Sequence, residues 1–187
     1  MKFGCLILAL SLLLCGCGAY TPDGALTGNT QLDEQTAAVL EEVCVKNGSV
    51  EDNVRLVYDW VANEIRYRAS TTELTDGFTE EATQELALEL LSKRRGDCDG
   101  EAALMAVLLR RMGCEALVVE GTFVREAGET PVEHAWVIAR VGEEYCHFDP
   151  LYGRYYAEDR MGSYCMATDE LMEKTHQWDH AAYPACS

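Results

Sequence analysis

Three residues in this chain have the types and settings that thiol acyl chemistry needs: Cys98, His134 and Asp149. Cys98 lies in Arg95-Gly96-Asp97-Cys98-Asp99-Gly100-Glu101-Ala102-Ala103, after a glycine turn and directly before an alanine-rich amphipathic stretch. That order sets a thiol at a helix N-terminus, where unpaired backbone N–H groups and the positive end of the macrodipole favour thiolate. His134 follows in Glu133-His134-Ala135-Trp136-Val137, and Asp149 in His147-Phe148-Asp149-Pro150. Together they suggest a Cys-His-Asp enzyme. His134 takes the Cys98 proton and later protonates a leaving amine, while Asp149 fixes the imidazole tautomer and supports the imidazolium. The Cys98 backbone N–H is a candidate oxyanion donor. Asp97 and Asp99 oppose the helix effect, because neighbouring carboxylates raise a thiol pKa. For Asp97 the first reading is a helix cap.

Positioning these groups falls to a run of helices followed by strands. Leu32, Ala37, Leu40 and Val43 space a first helix over Gln31 to Val45, ended by Asn47-Gly48. Ser49-Val50-Glu51-Asp52 approximates a capping box for a second, with Val54, Val57, Tyr58, Val61 and Ile65 on one face. Ala69 to Thr79 reads as a loop. Thr79 caps a third helix, which closes in Lys93-Arg94-Arg95-Gly96. The helix after Cys98 has small side chains suited to close packing on a sheet, and stops at Gly113. Strands then run over Ala116–Val124, Ala135–Val141 and Glu144–Phe148, with the last two joined by Gly142-Glu143. Tyr152 to Ser187 is irregular apart from one short helix at Asp169–Lys174.

The hairpin supplies a geometric test. A two-residue turn at Gly142-Glu143 pairs positions whose numbers sum to 285, so His134 faces Leu151 and shares a face with Asp149. His147 shares that face too and is a rival to His134, but sits further toward the turn.

Composition bounds the surroundings. Lys2, an apolar run from Leu6 to Leu14, and Leu14-Cys15-Gly16-Cys17 read as a secretory leader over residues 1–16. The Leu-x-Gly-Cys ending resembles a bacterial lipobox, which implies lipid on Cys17. Residues 17–29 then form a tether and 30–187 the domain, with the protein anchored to the membrane and facing outward. Roughly 170 residues remain, enough for one core. The chain carries 32 Asp+Glu against 15 Lys+Arg, a net charge of −17. That argues against nucleic acid as a partner. Cys44, Cys114, Cys146, Cys165 and Cys186 are left for structural roles. Cys165 and Cys186 could staple the C-terminal segment, while Cys114 and Cys146 read as small core residues.

Rival chemistries are weaker. No Cys-x-x-Cys pair supports a zinc site from Cys98, His134, Cys146 and His147, so no metal or other cofactor is expected. His176-Gln177-Trp178-Asp179-His180 is open to metal binding or to lining the cleft, and reads first as exposed or capping. Trp136 and Tyr152 are placed either as substrate walls or as packing, and Trp60 and Tyr67 as core residues of the second helix, with Tyr67 the better candidate to border the site.

The Arg-Arg-Gly-Asp-Cys-Asp-Gly-Glu-Ala segment resembles the cysteine motif of the transglutaminase-like superfamily. His134-Ala135-Trp136-Val137 and Phe148-Asp149-Pro150 resemble its histidine and aspartate motifs, and Ile65-Arg66-Tyr67 the segment preceding its active site. The likeness spans roughly Val54 to Gly153. It implies an α+β, papain-like core and a thioester on Cys98 with a peptide or protein substrate; the outward-facing anchor alone adds cell-wall peptide to the candidates. Hydrolysis is favoured over transamidation because no acceptor-amine site is legible. The alternative is an inactive binding module of the cell envelope. Oligomeric state is not legible.

Overall fold

The computed structural model describes residues 24–69, 74, 76–126, 128–156 and 164–187. The leader and Cys17 lie outside these residues. Four helices come first: α1 (Thr30–Val43), α2 (Val50–Glu64), α3 (Glu80–Lys93) and α4 (Cys98–Arg111). Their starts follow from short polar side chains that accept orphan N–H groups. Asn29 accepts from Leu32, Ser49 from Asp52, Thr79 from Ala82 and Asp97 from Gly100.

α4 is the central element. From Gly100 to Leu109 every side chain is buried, including Ala102, Ala103 and Ala106, which let the helix lie close against the sheet. That sheet is antiparallel and five-stranded, in the order β6 (Cys165–Ala167), β5 (Glu144–Phe148), β4 (Val132–Val141), β3 (Ala116–Phe123), β7 (His176–Gln177). One face carries Ala135, Val137, Ala139 and Phe148 into the helical core. The other carries Val119, Trp136 and Ile138 into a second, aromatic-lined core closed by the C-terminal segment. The α+β expectation holds, with helices first and the sheet after.

The hairpin register is as expected: Val141 pairs with Glu144, Ala139 with Cys146 and Val137 with Phe148. The predicted His134–Leu151 pairing does not form. β5 ends at Phe148, and Pro150 opens α5 (Pro150–Tyr156), whose fixed φ suits the first helical position. α5 is held against α2 by Tyr58, which donates to the Asp149 carbonyl at 3.0 Å. Gly153 permits that approach, since a Cβ there would sit 1.7 Å from the Tyr58 hydroxyl oxygen.

Other expectations are corrected. Gly96 does not end α3. Arg94 takes the left-handed conformation there (φ 52°), and Gly96 belongs to a two-residue strand β2 (Arg95–Gly96) paired in parallel with β1 (Arg66–Tyr67). The C-terminal segment also contributes β6, a short helix α6 (Asp169–Met172) and β7. Cys165 and Cys186 pack in the cores on opposite faces of the sheet and so do not staple that segment, whereas Cys114 and Cys146 are buried core residues as expected. Among the described residues no helix is long and apolar enough to cross a membrane.

Candidate active site

Cys98 is the first residue of α4, and the Asp97 side chain accepts from the Gly100 N–H at 3.2 Å, the capping role expected of it. His134 stands near the start of β4, facing the second core, and Asp149 occupies the single residue between β5 and α5. Cys98 and His134 line one cavity of about 570 Å³ together with Leu74, Phe78, Gly121 and Ala135. His134 Nε2 donates to Asp149 Oδ2 across 2.8 Å, with both side chains about 1% exposed. The chain reaches this contact through the turn into α5 rather than along the strand pair. Since Nε2 is engaged by the carboxylate, Nδ1 is the ring nitrogen left to exchange a proton with a thiol.

Asp149 is saturated. Oδ1 accepts from the Tyr152 N–H at 3.0 Å, and Oδ2 accepts a second imidazole, His176 Nε2, at 3.0 Å. Thr175 Oγ1 lies 2.9 Å from His176 Nδ1 and 3.0 Å from the Tyr164 hydroxyl, so the hydroxyl chain donates to Nδ1 and keeps the proton on Nε2. Burial works to raise the Asp149 carboxyl. The His134 imidazole with its hydrogen bond, and then the His176 hydrogen bond, overcome burial and hold Asp149 well below the ordinary carboxylate range.

His176 is the member the sequence reading misplaced as exposed or capping. It is 1% exposed and reaches Asp149 because β7 pairs with β3, His176 opposite Phe123. Two residues of strand offer no periodicity from which that pairing is legible. Phe123 also stacks on Tyr152 with centroids 3.5 Å apart, and Tyr152 meets the His134 ring edge-on at 4.6 Å. Tyr152 is half-buried and packs against the histidine.

Trp136 is not a substrate wall. It is fully buried in the second core, where Nε1 donates to His147 Nδ1 at 3.0 Å. Tyr67, expected in the core of the second helix, lies on β1 and is 49% exposed. Its hydroxyl is raised by burial and then by the charges of Cys98 and Asp97. His147, the rival histidine, turns away from Cys98, with Nε2 2.7 Å from Asp169 Oδ1.

His147, Asp169 and Cys186 bring three ligand-type atoms within 4.8 Å of one another, as do His134, Asp149 and His176. The first trio is better read as a hydrogen-bonded clasp. Trp136 donates to Nδ1, so the His147 proton resides on Nε2 and is given to Asp169. A metal at Nε2 needs that proton on Nδ1, against the indole N–H. Asp169 Oδ2 is also occupied, by the Cys186 backbone N–H at 3.1 Å.

The electrostatics around Cys98 run against the helix N-terminus. Burial first, then the Asp99 carboxylate, push the thiol up to about 12, against a hydrogen bond from the Ala135 backbone. Asp97, Asp99, Glu120 and Glu133 line the cavity, and among the described residues no lysine or arginine does. The geometry fits a protonated sulfur, since Cys98 Sγ donates to Asp99 Oδ1 at 3.5 Å. The Asp99→Asn variant is expected to lower the Cys98 pKa and to alkylate faster with iodoacetamide at pH 8. An unchanged rate in a mass-mapped time course would remove Asp99 as a cause and leave burial and Asp97.

A model of the transglutaminase-like superfamily matches residues 37–150. No curated protein matches the chain. Among solved structures, a candidate cysteine protease from Cytophaga hutchinsonii is similar at 22% identity and TM-score 0.48, over 64% of this chain and 37% of that one. A structure described as a TGase is similar at 16% identity and TM-score 0.43, over 65% and 30%. The periplasmic domain of TgpA from Pseudomonas aeruginosa, bound to ethylmercury, is similar at 18% identity and TM-score 0.45, over 70% and 47%. The chain thus covers less than half the length of each. The family match itself runs unbroken from α1 to Pro150, through the helix that begins at Cys98, the strand that bears His134, and Asp149; on that footing the chain belongs to the transglutaminase-like superfamily.

Proposed function

We propose that the protein is a thiol enzyme that cleaves amide bonds of peptides or proteins through an acyl intermediate on Cys98. The observation that carries this reading is the 2.8 Å His134–Asp149 contact, made by a histidine that shares a cavity with the Cys98 helix terminus. Because the thiol is protonated at rest, the nucleophile forms by transfer within the pair. His134 Nδ1 takes the Cys98 proton as sulfur attacks the carbonyl carbon, and the imidazolium is held by Asp149. The oxyanion of the tetrahedral intermediate takes the Cys98 N–H, one of the orphan donors at a helix start. Collapse breaks the C–N bond, and His134 returns its proton to the leaving amine. Water then attacks the thioester, giving up a proton to His134; the carboxylic acid departs and the thiol is restored. An amine in place of water gives transamidation. Hydrolysis is the favoured outcome, since no site for an acceptor amine is legible.

Tyr67, exposed on β1 opposite Gly96 and two residues from Cys98 across that pair, is proposed to border the substrate. The leader and Cys17 carry the further proposal of an outward-facing, membrane-anchored enzyme acting on wall peptides or exported proteins. The raised Cys98 thiol favours a second reading, a binding module without catalysis. The two are separated by incubating purified protein with glutaminyl and wall-derived peptides, with and without excess methylamine. Intact mass is followed for wild type and Cys98→Ala. Acyl mass on Cys98 and a carboxylate product support the enzyme, a methylamide product moves the reading to transamidation, and neither product supports the binding module.

A further inference from the structure

The β1–β2 ladder sets Arg66 opposite Arg95 and so brings two basic segments together, Arg66-Tyr67-Arg68 and Lys93-Arg94-Arg95. Arg66, Arg68, Lys93, Arg94 and Arg95 are five of the chain's 15 lysines and arginines. Lys93 pairs with Glu89, and the Arg94 guanidinium lies 4.5 Å above the Trp60 ring. Arg66, Arg68 and Arg95 are exposed and make no ion pair among the described residues. Like charges on facing strand positions repel. Lys46, Arg55, Arg140 and Lys174 also make no ion pair among the described residues, so what sets these three guanidinium groups apart is their gathering on one pair of strands.

These groups also border a cavity. Arg68, Lys93 and Arg95 line a space of about 410 Å³ floored by Gly96 and Gly100. Its remaining walls include Leu74, Asp97 and Asp99, which also line the cavity holding Cys98 and His134. The two spaces are neighbouring parts of one cleft. Around the thiol the described charged wall residues are all acidic, whereas here Arg68, Lys93 and Arg95 stand among Glu89, Asp97 and Asp99, with Lys93 paired to Glu89 and the two arginines unpaired.

We infer that the end of this cleft bearing Arg68 and Arg95 is a subsite for a carboxylate-bearing segment of the peptide substrate, held by those two side chains. Their planar forks match a carboxylate, and among the described residues neither is engaged by a carboxylate of the chain itself. The inference rests on the Cys98 cleft being the substrate site. The carboxylates belong either to Asp and Glu side chains or to a free chain terminus.

The test separates those sources and does not depend on turnover. Binding of rhodamine-labelled peptides to the Cys98→Ala protein is followed by fluorescence anisotropy. The probes are blocked hexaglutamate amide, hexaglutamine with a free C-terminus, and hexaglutamine amide. Hexaglutamate amide or the free-terminus peptide is expected to bind more tightly than hexaglutamine amide, and to weaken roughly tenfold when Arg68→Gln and Arg95→Gln are combined. The better of the two acidic probes identifies the source. In the wild type the same peptide is expected to slow iodoacetamide labelling of Cys98. Equal binding of all three probes, indifference to the arginine changes, or no protection of Cys98 overturns the subsite. Arginine-dependent binding and protection in a protein that forms no acyl adduct leave the subsite standing and remove the enzyme reading.

Discussion

The Asp149→Asn variant is expected to lose between about 10² and 10⁴ in kcat on any amide substrate the wild type turns over. Asp149 meets three N–H donors with two oxygens: Tyr152 at Oδ1, and His134 and His176 at Oδ2. An asparagine has one oxygen for both positions. If its oxygen stays with Tyr152, the amide N–H₂ faces two imidazoles. They must then move their protons to Nδ1, and His134 loses the lone pair that accepts from Cys98. If the amide turns over, the tautomer survives but the cap on α5 is lost, and the buried imidazolium has no counter-charge. Either orientation removes stabilisation present only when His134 is charged, so kcat falls with KM little changed. A kcat within tenfold of wild type, measured on protein with native circular dichroism, removes Asp149 from the mechanism.

The same variant changes the acid response. Asp149 is held below its ordinary value of 3.8, so its contribution to stability is present above that pH and is lost as pH falls below it. His147 and His176 are held below 6.5, burial being the first cause in each, so both favour the fold while neutral. The unfolded chain binds more protons in this range, and stability falls with pH from 6.5 downward. Wild type is expected to lose thermal stability in two stages, the histidine stage first and the Asp149 stage below about pH 4. Asp149→Asn should start lower and lack the second stage.

Replacing His134 with alanine is expected to slow iodoacetamide labelling of Cys98 at pH 7 by about 10² or more. Burial and Asp99 push the thiol up to about 12, so an isolated Cys98 is almost wholly protonated at neutral pH. Reactivity there depends on a base within reach, and His134 is the imidazole in the cavity. The pH–rate curve of the variant should climb steadily toward high pH, as for a lone buried thiol, while wild type shows an earlier rise. Superimposable curves for the two proteins would falsify the Cys98–His134 pair. Labelling of the other buried cysteines serves as the internal control for unfolding.

Local order made the nucleophile helix and the hairpin legible in the sequence. Asp97, Cys98 and Gly100 satisfy a helix start within four residues, and Gly142-Glu143 sets a register that carries through the whole β4–β5 pair. What escaped was set by distant contacts. His176 reaches Asp149 across 27 residues, by way of a strand too short to leave a pattern. Trp136 reads as a possible cleft wall because it lies two positions from His134. It is buried because the C-terminal segment folds over that face of the sheet, and nothing within the strand announces that cover. The α5 turn likewise replaced the expected strand extension, yet delivered Asp149 to the same histidine.

Sharing one carboxylate oxygen between His134 and His176 makes the site a proton ledger with a single credit line. The two rings lie 5.6 Å apart between centroids, so an excess proton on one discourages a second on the other. During turnover the imidazolium must form on His134. In acid, a proton lodged on His176 occupies the same counter-charge beforehand. His176 thus has a hold on the anion that the His134 imidazolium needs, from a strand on the far side of β3.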